Sequence, residues 1–175
     1  LLALEHLELE QVITVPEDQG PADGSAMYLL PGEQFTVRNL LDGLMVKSAN
    51  DAAVLLARTI SGSEEAFALE MNRRAAEIGA TDTHFVNPNG LPDERHVTTA
   101  YDMALIAREA MENPVFRELV SQVYVTLDET PQTPEKRYFR NTNRFLWSEM
   151  MIPYRDTMVP IHYEAVDGVK TGYTT

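Results

Sequence analysis

The amino-acid sequence predicts one mixed α and β domain, of α/β class in the broad sense and α+β in the order of its elements. Apolar residues recur at helical spacing through much of residues 36–120, whereas β-branched and alternating segments follow in residues 121–175. The chain has 175 residues, of which 44% are hydrophobic, and this is enough to build one core. We therefore expect a mainly helical subdomain over about 36–120 and strands over 121–175.

Residues 1–35 come before the helical part. Residues 1–7 are strong helix formers with no capping side chain ahead of them, so we expect the sequence to begin inside a helix. Residues 12–15 form a candidate strand that Pro16 ends. A loop containing Gly and Pro is predicted over 17–24, and residues 30–33 (Leu-Pro-Gly-Glu) have the composition of a turn.

Two adjoining helices are predicted next. Thr36 is placed to cap the first helix, which should end near Lys47, and Asn50 is placed to cap the second. These assignments leave Ser48 and Ala49 in a tight, partly exposed join between two buried helices. The apolar residues that define the two helix faces are Val37, Leu40, Leu41, Leu44, Val54, Leu55 and Ile60.

Three further helices have recognisable boundaries. Ser63 is placed to start one helix, and Gly79 to end it in a left-handed conformation. Thr99 with Asp102 resembles a capping box for a helix through residue 111. Asn113-Pro114 supplies a cap and a preset first residue for a short helix after it.

The remaining segments are loop or strand. Residues 80–97 are predicted to form an ordered loop, and the turn-forming Asn-Pro-Asn-Gly sequence at 87–90 favours a scaffold role over a chemical one. Residues 123–127 alternate as in a strand. The last segment, 167–175, has β-forming residues and two glycines, so we expect a strand there as well.

Composition excludes several classes of function. The formal charge of −13 would repel nucleic acid, and no apolar run approaches the roughly 20 residues that span a bilayer. The chain has no Cys, and its four His show no spacing typical of a zinc site. No glycine pattern typical of a phosphate-binding loop is present. We therefore expect no metal and no cofactor.

Two short motifs, 122 positions apart, carry the candidate chemistry: Ser48-Ala49-Asn50 and Lys170-Thr171-Gly172. Each also has a purely structural interpretation, because Ser48 and Asn50 could cap helices and Lys170 could be an exposed strand lysine. By chance alone, a chain of this length contains Ser-x-Asn about 0.4 times and Lys-Thr-Gly about 0.02 times. The second motif is therefore the stronger signal, and the pair in this order is stronger still.

Both motifs stand in contexts that resemble the D-alanyl-D-alanine carboxypeptidase family of penicillin-binding proteins. The similar stretches are 45–53, 83–91, 98–104 and 168–174, so the resemblance covers nearly the whole chain. It implies the fold of serine β-lactamases and penicillin-binding transpeptidases, here with a helical subdomain and part of an antiparallel sheet. It also implies that residues 1–175 are one partial catalytic domain without the family's C-terminal domain.

The resemblance implies three catalytic residues in this chain. Ser48 would relay protons between a catalytic Lys, the leaving amine and Lys170. Asn50 would hydrogen-bond the substrate amide and the catalytic Lys. Lys170 would place fixed positive charge near the free carboxylate of the substrate.

Four more residues would bind substrate by the same resemblance. Thr171 or Thr174 would offer a hydroxyl donor to the substrate carboxylate. Gly172 would let the substrate run beside the chain as an added strand, and the backbone N–H of Tyr173 would be one donor of the oxyanion hole.

The Ser-x-x-Lys nucleophile motif of the family is absent. None of the six serines is followed three residues later by lysine. By resemblance the motif should lie a few positions upstream of Leu1, and the last strands of the fold should lie downstream of Thr175. We therefore expect residues 1–175 alone to be inactive.

The implied activity is that of a penicillin-sensitive serine carboxypeptidase, which removes the terminal D-alanine from peptidoglycan stem peptides through an acyl-enzyme. Its partners would be peptides ending in D-Ala-D-Ala and, as acylating inhibitors, β-lactams. Its place would be extracytoplasmic, secreted or anchored on the outer face of a bacterial cytoplasmic membrane. The alternatives are a serine β-lactamase or a peptidoglycan endopeptidase on the same fold, or a non-catalytic penicillin-binding relative.

Overall fold

A computed structural model describes residues 1–172 and contains six α-helices and six strands within that range. The helices are α1 (Leu2–His6), α2 (Val37–Asp42), α3 (Asn50–Ser61), α4 (Glu64–Ile78), α5 (Ala100–Glu112) and α6 (Pro114–Ser121). The strands are β1 (Val12–Thr14), β2 (Gln34–Thr36), β3 (Tyr124–Leu127), β4 (Arg137–Arg140), β5 (Met151–Tyr154) and β6 (Thr157–Pro160). A π-helical turn (Gly43–Lys47) follows α2, and a 3₁₀ turn (Arg144–Leu146) follows β4.

The strands form three separate antiparallel pairs, β1–β2, β3–β4 and β5–β6. In the first pair Ile13 lies opposite Phe35, and in the second Val125 lies opposite Phe139. These pairs turn apolar side chains towards the helices, and Ile13, Phe35 and Val125 are buried. The predicted mixture of helices and antiparallel strands is therefore confirmed, although the strands make three small sheets.

One main core lies between the first two strand pairs and the central helices. Its most deeply buried side chains come from several different segments of the chain, so the core joins distant parts of the sequence. They include Val15, Met27, Val37, Leu40, Val46 and Leu119.

Most of the predicted helix boundaries are confirmed by side-chain caps. The Thr36 hydroxyl accepts the backbone N–H of Asn39, and the Asn39 side chain in turn accepts the N–H of Thr36. The side-chain oxygens of Ser63 and Asn113 likewise accept backbone N–H groups in the first turns of α4 and α6. The Gly79 cap is also left-handed, as expected, with φ +91°.

The first central helix ends near Lys47 as predicted, but its last turn is wider than an α-helix. The backbone N–H of Ser48 donates to the Gly43 carbonyl, five residues earlier, as in a π turn. Met27 packs directly against Gly43, and a Cβ at position 43 would lie 2.7 Å from the Met27 sulfur. A glycine here therefore lets the Met27 side chain pack directly on the backbone of the π turn.

Two predicted helix starts are wrong in detail. Asn50 does not cap α3, because the cap position is Ala49 and the Asn50 side chain points to the preceding loop. Thr99 caps α5, but the Asp102 carboxylate does not close the box. It accepts instead from Asp82 N–H at 2.8 Å and from the Thr83 hydroxyl at 2.7 Å. The side chains of Asn50 and Asp102 therefore bond partners distant in sequence and not the backbone at the start of their own helices.

The predicted strand at the end of the chain is not formed over 167–172, and residues 173–175 lie outside the described range. Conversely, β2, β4, β5 and β6 form although the sequence analysis did not predict them. Strand β4 has the sequence Arg-Tyr-Phe-Arg, and prolines occur in both β5 and β6. The aromatic and β-branched residues of these strands favour extended structure, but arginines or a proline interrupt each short run, so the strands become evident only from their pairing.

A buried carboxylate holds the loop between β1 and β2. Asp51, at the start of α3, is 3% exposed and accepts the backbone N–H groups of Met27 and Leu29 at 3.0 and 3.1 Å. It therefore fixes residues 25–29 against the helix that carries Asn50.

Candidate active site

Ser48 lies in the join between the π turn and α3, as the sequence predicted. Its backbone is left-handed, with φ 63° and ψ 43°, a conformation that a non-glycine residue adopts with strain. The next residue, Ala49, is fully buried and anchors the join in the core. The Ser48 side chain is consequently held at the protein surface by a rigid backbone.

Lys170 reaches Ser48 from the far end of the chain. Its Nζ donates hydrogen bonds to Ser48 Oγ at 2.9 Å and to the Thr171 carbonyl at 2.8 Å. The residue is exposed overall, yet partial burial of the ammonium group lowers the pKa of Lys170 below the ordinary lysine value. The two sequence motifs therefore meet at one place and share a hydrogen bond.

Asn50, the first residue of α3, lies two residues after Ser48 and is tied to the loop between β1 and β2. Its side-chain Nδ2 donates to the Asp23 carbonyl at 2.7 Å, and its backbone N–H donates to the Ser25 carbonyl at 2.8 Å. The Ser25 hydroxyl in turn donates to the Lys47 carbonyl at 2.8 Å. Gly24 has φ +79°, and a Cβ there would lie 3.0 Å from Asn50 Nδ2, so the loop needs glycine to approach so closely.

Two residues that the sequence analysis did not single out support the Lys-Thr-Gly segment. Thr142 Oγ1 and Thr171 Oγ1 are 2.6 Å apart, and the Thr142 backbone N–H donates to the Val46 carbonyl at 3.2 Å. Asn143 Nδ2 donates to the Gly168 carbonyl at 3.1 Å. The Asn-Thr-Asn sequence at 141–143, just after β4, was a visible cluster of polar turn residues, but nothing in it indicated these partners.

The other predicted substrate-binding residues are less well defined. Gly172 is exposed and has open space where a Cβ would stand. Tyr173 and Thr174 lie outside the described residues. The structure thus brings together Ser48, Lys170 and Thr171, with Asn50 two residues after Ser48 in the chain.

This arrangement can move protons and bind an anion. A hydroxyl bonded to an ammonium can accept or pass on a proton, and a lysine with a lowered pKa does so more readily near neutral pH. Hydroxyl groups and a positive charge together suit a carboxylate. Within residues 1–172, no three His, Asp or Glu side chains are grouped so as to hold a metal ion. No helix of that range has the length and apolar character needed to cross a bilayer.

A family model and the most similar curated proteins all indicate the same family for this chain. The family model described as D-alanyl-D-alanine carboxypeptidase matches residues 2–175. The chain is 37% identical over 168 residues to D-alanyl-D-alanine carboxypeptidase DacF of Bacillus subtilis (strain 168), covering 96% of this chain and 39% of DacF. It is 34% identical over 176 residues to D-alanyl-D-alanine carboxypeptidase DacB2 of Mycobacterium tuberculosis, covering 99% of this chain and 54% of DacB2.

Solved structures agree with the sequence relatives. A crystal structure of a D-alanyl-D-alanine carboxypeptidase from Mycobacterium tuberculosis H37Rv superposes with a TM-score of 0.83 at 31% identity, over 99% of this chain and 60% of that one. Penicillin-binding protein 6B of Escherichia coli superposes with a TM-score of 0.77 at 30% identity, over 99% of this chain and 50% of that one. The chain therefore spans about half the length of the proteins that it resembles.

Proposed function

Because this chain belongs to the D-alanyl-D-alanine carboxypeptidase family, we propose that the complete protein is a serine-type carboxypeptidase that removes the terminal D-alanine from peptidoglycan stem peptides. The reaction proceeds through an acyl-enzyme and is inhibited by β-lactams. The observation that carries the proposal is the 2.9 Å hydrogen bond from Lys170 Nζ to Ser48 Oγ, which joins two motifs 122 positions apart.

The proposed reaction starts with a serine and a lysine that lie upstream of Leu1, since no Ser-x-x-Lys occurs within residues 1–175. The serine Oγ attacks the carbonyl carbon between the two D-alanines, and the lysine accepts its proton. The C–N bond then breaks, the D-alanine amine takes up a proton, and an ester links the peptide to the serine. Water hydrolyses the ester and regenerates the serine. Residues 1–175 alone are therefore inactive.

Ser48 and Asn50 act on the amine side of this reaction. The Ser48 hydroxyl, already bonded to the Lys170 ammonium, passes a proton to the leaving amine and is reprotonated from its lysine partners. The strained backbone of Ser48 and the buried Ala49 keep the hydroxyl in place, so little ordering is needed on binding. Asn50 offers its amide to the substrate and to the catalytic lysine. Its bond to the Asp23 carbonyl sets the orientation of the amide.

Lys170 and Thr171 recognise the free C-terminus of the peptide. The ammonium supplies positive charge, and the Thr171 hydroxyl, held at 2.6 Å from Thr142 Oγ1, can turn its proton to a carboxylate. Thr174 would add a second hydroxyl. Gly172 leaves room for the peptide backbone beside the chain, and the backbone N–H of Tyr173 contributes to the oxyanion hole.

The partners and the location follow from the substrate. Peptides ending in D-Ala-D-Ala belong to the cell wall, so the complete protein works outside the cytoplasmic membrane, secreted or anchored on its outer face. β-Lactams acylate the same serine. The formal net charge of −13 disfavours nucleic acid and other polyanions as partners.

The experiment that tests the proposal is intact-mass measurement after incubation with benzylpenicillin. The 175-residue chain is compared with the protein extended in both directions to its natural ends. A penicilloyl adduct on the extended protein only, on a serine upstream of Leu1, supports the proposal when the protein also releases D-alanine from a D-Ala-D-Ala peptide. Rapid nitrocefin turnover would indicate a β-lactamase instead. A folded extended protein that forms no adduct would indicate a non-catalytic relative.

A further inference from the structure

The Asn141-Thr142-Asn143 segment after β4 is a turn with two buried asparagines and one exposed threonine. Asn141 is 4% and Asn143 5% exposed, whereas Thr142 is exposed. Asn141 Nδ2 donates to the Gln122 carbonyl at 2.7 Å, and Asn141 Oδ1 accepts the Asn143 backbone N–H at 2.8 Å. Asn143 Nδ2 donates to the Gly168 carbonyl at 3.1 Å. Buried polar groups with satisfied hydrogen bonds are rigid, so the turn presents the Thr142 side chain at a fixed place.

Thr142 contacts both segments that form the candidate active site. Its backbone N–H donates to the Val46 carbonyl at 3.2 Å, in the π turn that ends just before Ser48. Its Oγ1 lies 2.6 Å from Thr171 Oγ1, in the segment that carries Lys170. Thr142 therefore connects the two motifs through bonds of its own, in addition to the bond between Lys170 Nζ and Ser48 Oγ.

The direction of the hydrogen bond between the two threonine hydroxyls depends on what Thr171 binds. A hydroxyl has one proton to donate. When Thr171 donates its proton to a carboxylate, its oxygen can only accept from Thr142, so Thr142 must be the donor. Hydrogen bonds in such a chain polarise one another, and bonds to an ionised acceptor are the strong ones. A neutral amide in the same place gains less from the chain.

We propose that Thr142 is a positioning residue that sets the preference of the enzyme for a free C-terminal carboxylate. Its hydroxyl donates to Thr171 Oγ1 and leaves the Thr171 proton for the substrate. The inference rests on the proposed carboxypeptidase function and deepens it, because it names a group that controls selectivity at the end of the peptide. Lys170 supplies the charge that attracts the carboxylate, whereas Thr142 determines where the Thr171 proton points.

The test uses the protein with its natural ends and two peptides that differ only at the C-terminus. One peptide ends in D-Ala-D-Ala with a free carboxylate, and the other is its C-terminal amide. Mass spectrometry follows the release of D-alanine or D-alaninamide, and the measured quantity is the ratio of the two kcat/KM values. A ratio cancels any effect that both peptides share, including an effect of a substitution on folding or on the chemical step.

We expect the wild-type protein to prefer the free carboxylate about tenfold or more. Thr142→Val removes the hydroxyl and keeps the backbone N–H, and it should lower the ratio about fivefold, as expected for the loss of one hydrogen bond. Thr142→Ser retains a hydroxyl and should keep the wild-type ratio. Thr126→Val is the matched control, since it makes the same change on the exposed face of β3, and it should leave the ratio unchanged.

Two further variants separate positioning from packing and from direct contact. Thr142→Ala removes the hydroxyl without placing a methyl group against Thr171, so it decides the question where Thr142→Val does not fold. In a Thr171→Val background, Thr142→Val should cause no further fall in the ratio, because Thr142 acts through Thr171.

Four results overturn the proposal. They are a wild-type ratio near one, an unchanged ratio in Thr142→Val or Thr142→Ala, an equal fall in Thr142→Ser, and a further fall in the Thr171→Val background. Failure of the proposed function looks different, because the wild-type protein then forms no penicilloyl adduct and cleaves neither peptide, and the inference falls with it. A protein that releases D-alanine with the same ratio in wild type and Thr142→Val is a carboxypeptidase whose selectivity does not depend on Thr142.

Discussion

Lys170 Nζ and Ser48 Oγ are 2.9 Å apart, and this bond connects the last described segment of the chain to the turn between two central helices. Ser48 is fixed by its own backbone, with a left-handed conformation between the π turn and α3. Lys170 is fixed by its neighbours, because Thr171 contacts Thr142 and Gly168 accepts a bond from Asn143. Ser48 and Lys170 thus both lie in irregular segments, and contacts with neighbouring residues hold each of them in place.

Removal of the Lys170 or the Asn50 side chain should slow acylation. In the complete protein, Lys170→Ala or Asn50→Ala should lower the rate of acylation by benzylpenicillin at least tenfold, which corresponds to about 1.4 kcal/mol of activation free energy. The rate is measured from the growth of the adduct mass. Lys136→Ala is the matched control, since Lys136 is exposed and forms a surface ion pair with Asp128 at 2.8 Å. Unchanged rates in the two site variants would remove both residues from the mechanism.

Acylation should also depend on the charge of Lys170. Because its pKa is lowered by desolvation, the ammonium loses its proton at a pH below the ordinary lysine value of about 10.4. We therefore expect the acylation rate to fall with rising pH before the ordinary lysine pKa is reached. Lys170→Arg stays charged throughout, so its alkaline limb should move to higher pH. An identical pH profile in the two proteins would mean that another group causes the decline.

The same lowered pKa affects stability with a definite sign. The unfolded state holds the Lys170 proton more tightly than the folded state does, so protonation favours unfolding. This destabilising contribution is fully present below the folded pKa. It disappears as pH rises from that value towards about 10.4.

The backbone of Ser48 gives a stability prediction that separates strain from chemistry. Ser48→Gly should be more stable than Ser48→Ala by about 1 kcal/mol, because glycine adopts a left-handed conformation without steric cost. Both variants lose the hydroxyl, so both should lose acylation to a similar extent. Urea unfolding and the adduct rate measure the two effects. Equal stabilities would show that the turn relaxes in the variants.

A buried ion pair away from the active site should stabilise the fold. Glu33 is 0% exposed and accepts from Arg137 Nη2 at 2.7 and 2.9 Å, from the Thr133 hydroxyl at 2.9 Å and from the Leu30 N–H at 2.8 Å. Glu33→Ala leaves the Arg137 charge without its partner. It should lower the free energy of unfolding by about 3 kcal/mol or more. The exposed carboxylate variant Asp128→Asn should change it by about 0.5 kcal/mol or less.

Acid sensitivity provides a second readout for Glu33. Burial alone would raise the pKa of Glu33, but hydrogen bonds from Thr130, the Leu30 backbone and Arg137 outweigh it and hold the pKa below its usual value. The stabilisation is therefore present above the usual value of about 4.3 and is lost as pH falls through the lower folded value. Wild-type protein should lose more stability than Glu33→Gln over this acid range. Parallel curves would exclude Glu33 as the group responsible.

Much of the fold could be predicted because its signals are local. Thr36, Ser63 and Asn113 each cap the helix that follows, and each cap involves a backbone group two or three residues away. The strand at 124–127 alternates between exposed and buried residues as its sequence indicated. By contrast, β4 has only four residues, with two aromatics between two arginines, so this strand is evident only from its pairing with β3.

The sequence by itself determined which residues are candidates for the site, because the two motifs, their order and the family they resemble are all visible in it. Only the tertiary structure decided what those residues contact. Asn50 had the composition of a cap, yet its side chain bonds the Asp23 carbonyl 27 positions earlier, and Thr171 meets Thr142 29 positions earlier. Local preferences depend on neighbours within one helical turn, whereas these contacts depend on the path of the whole chain, which burial of the shared core decides.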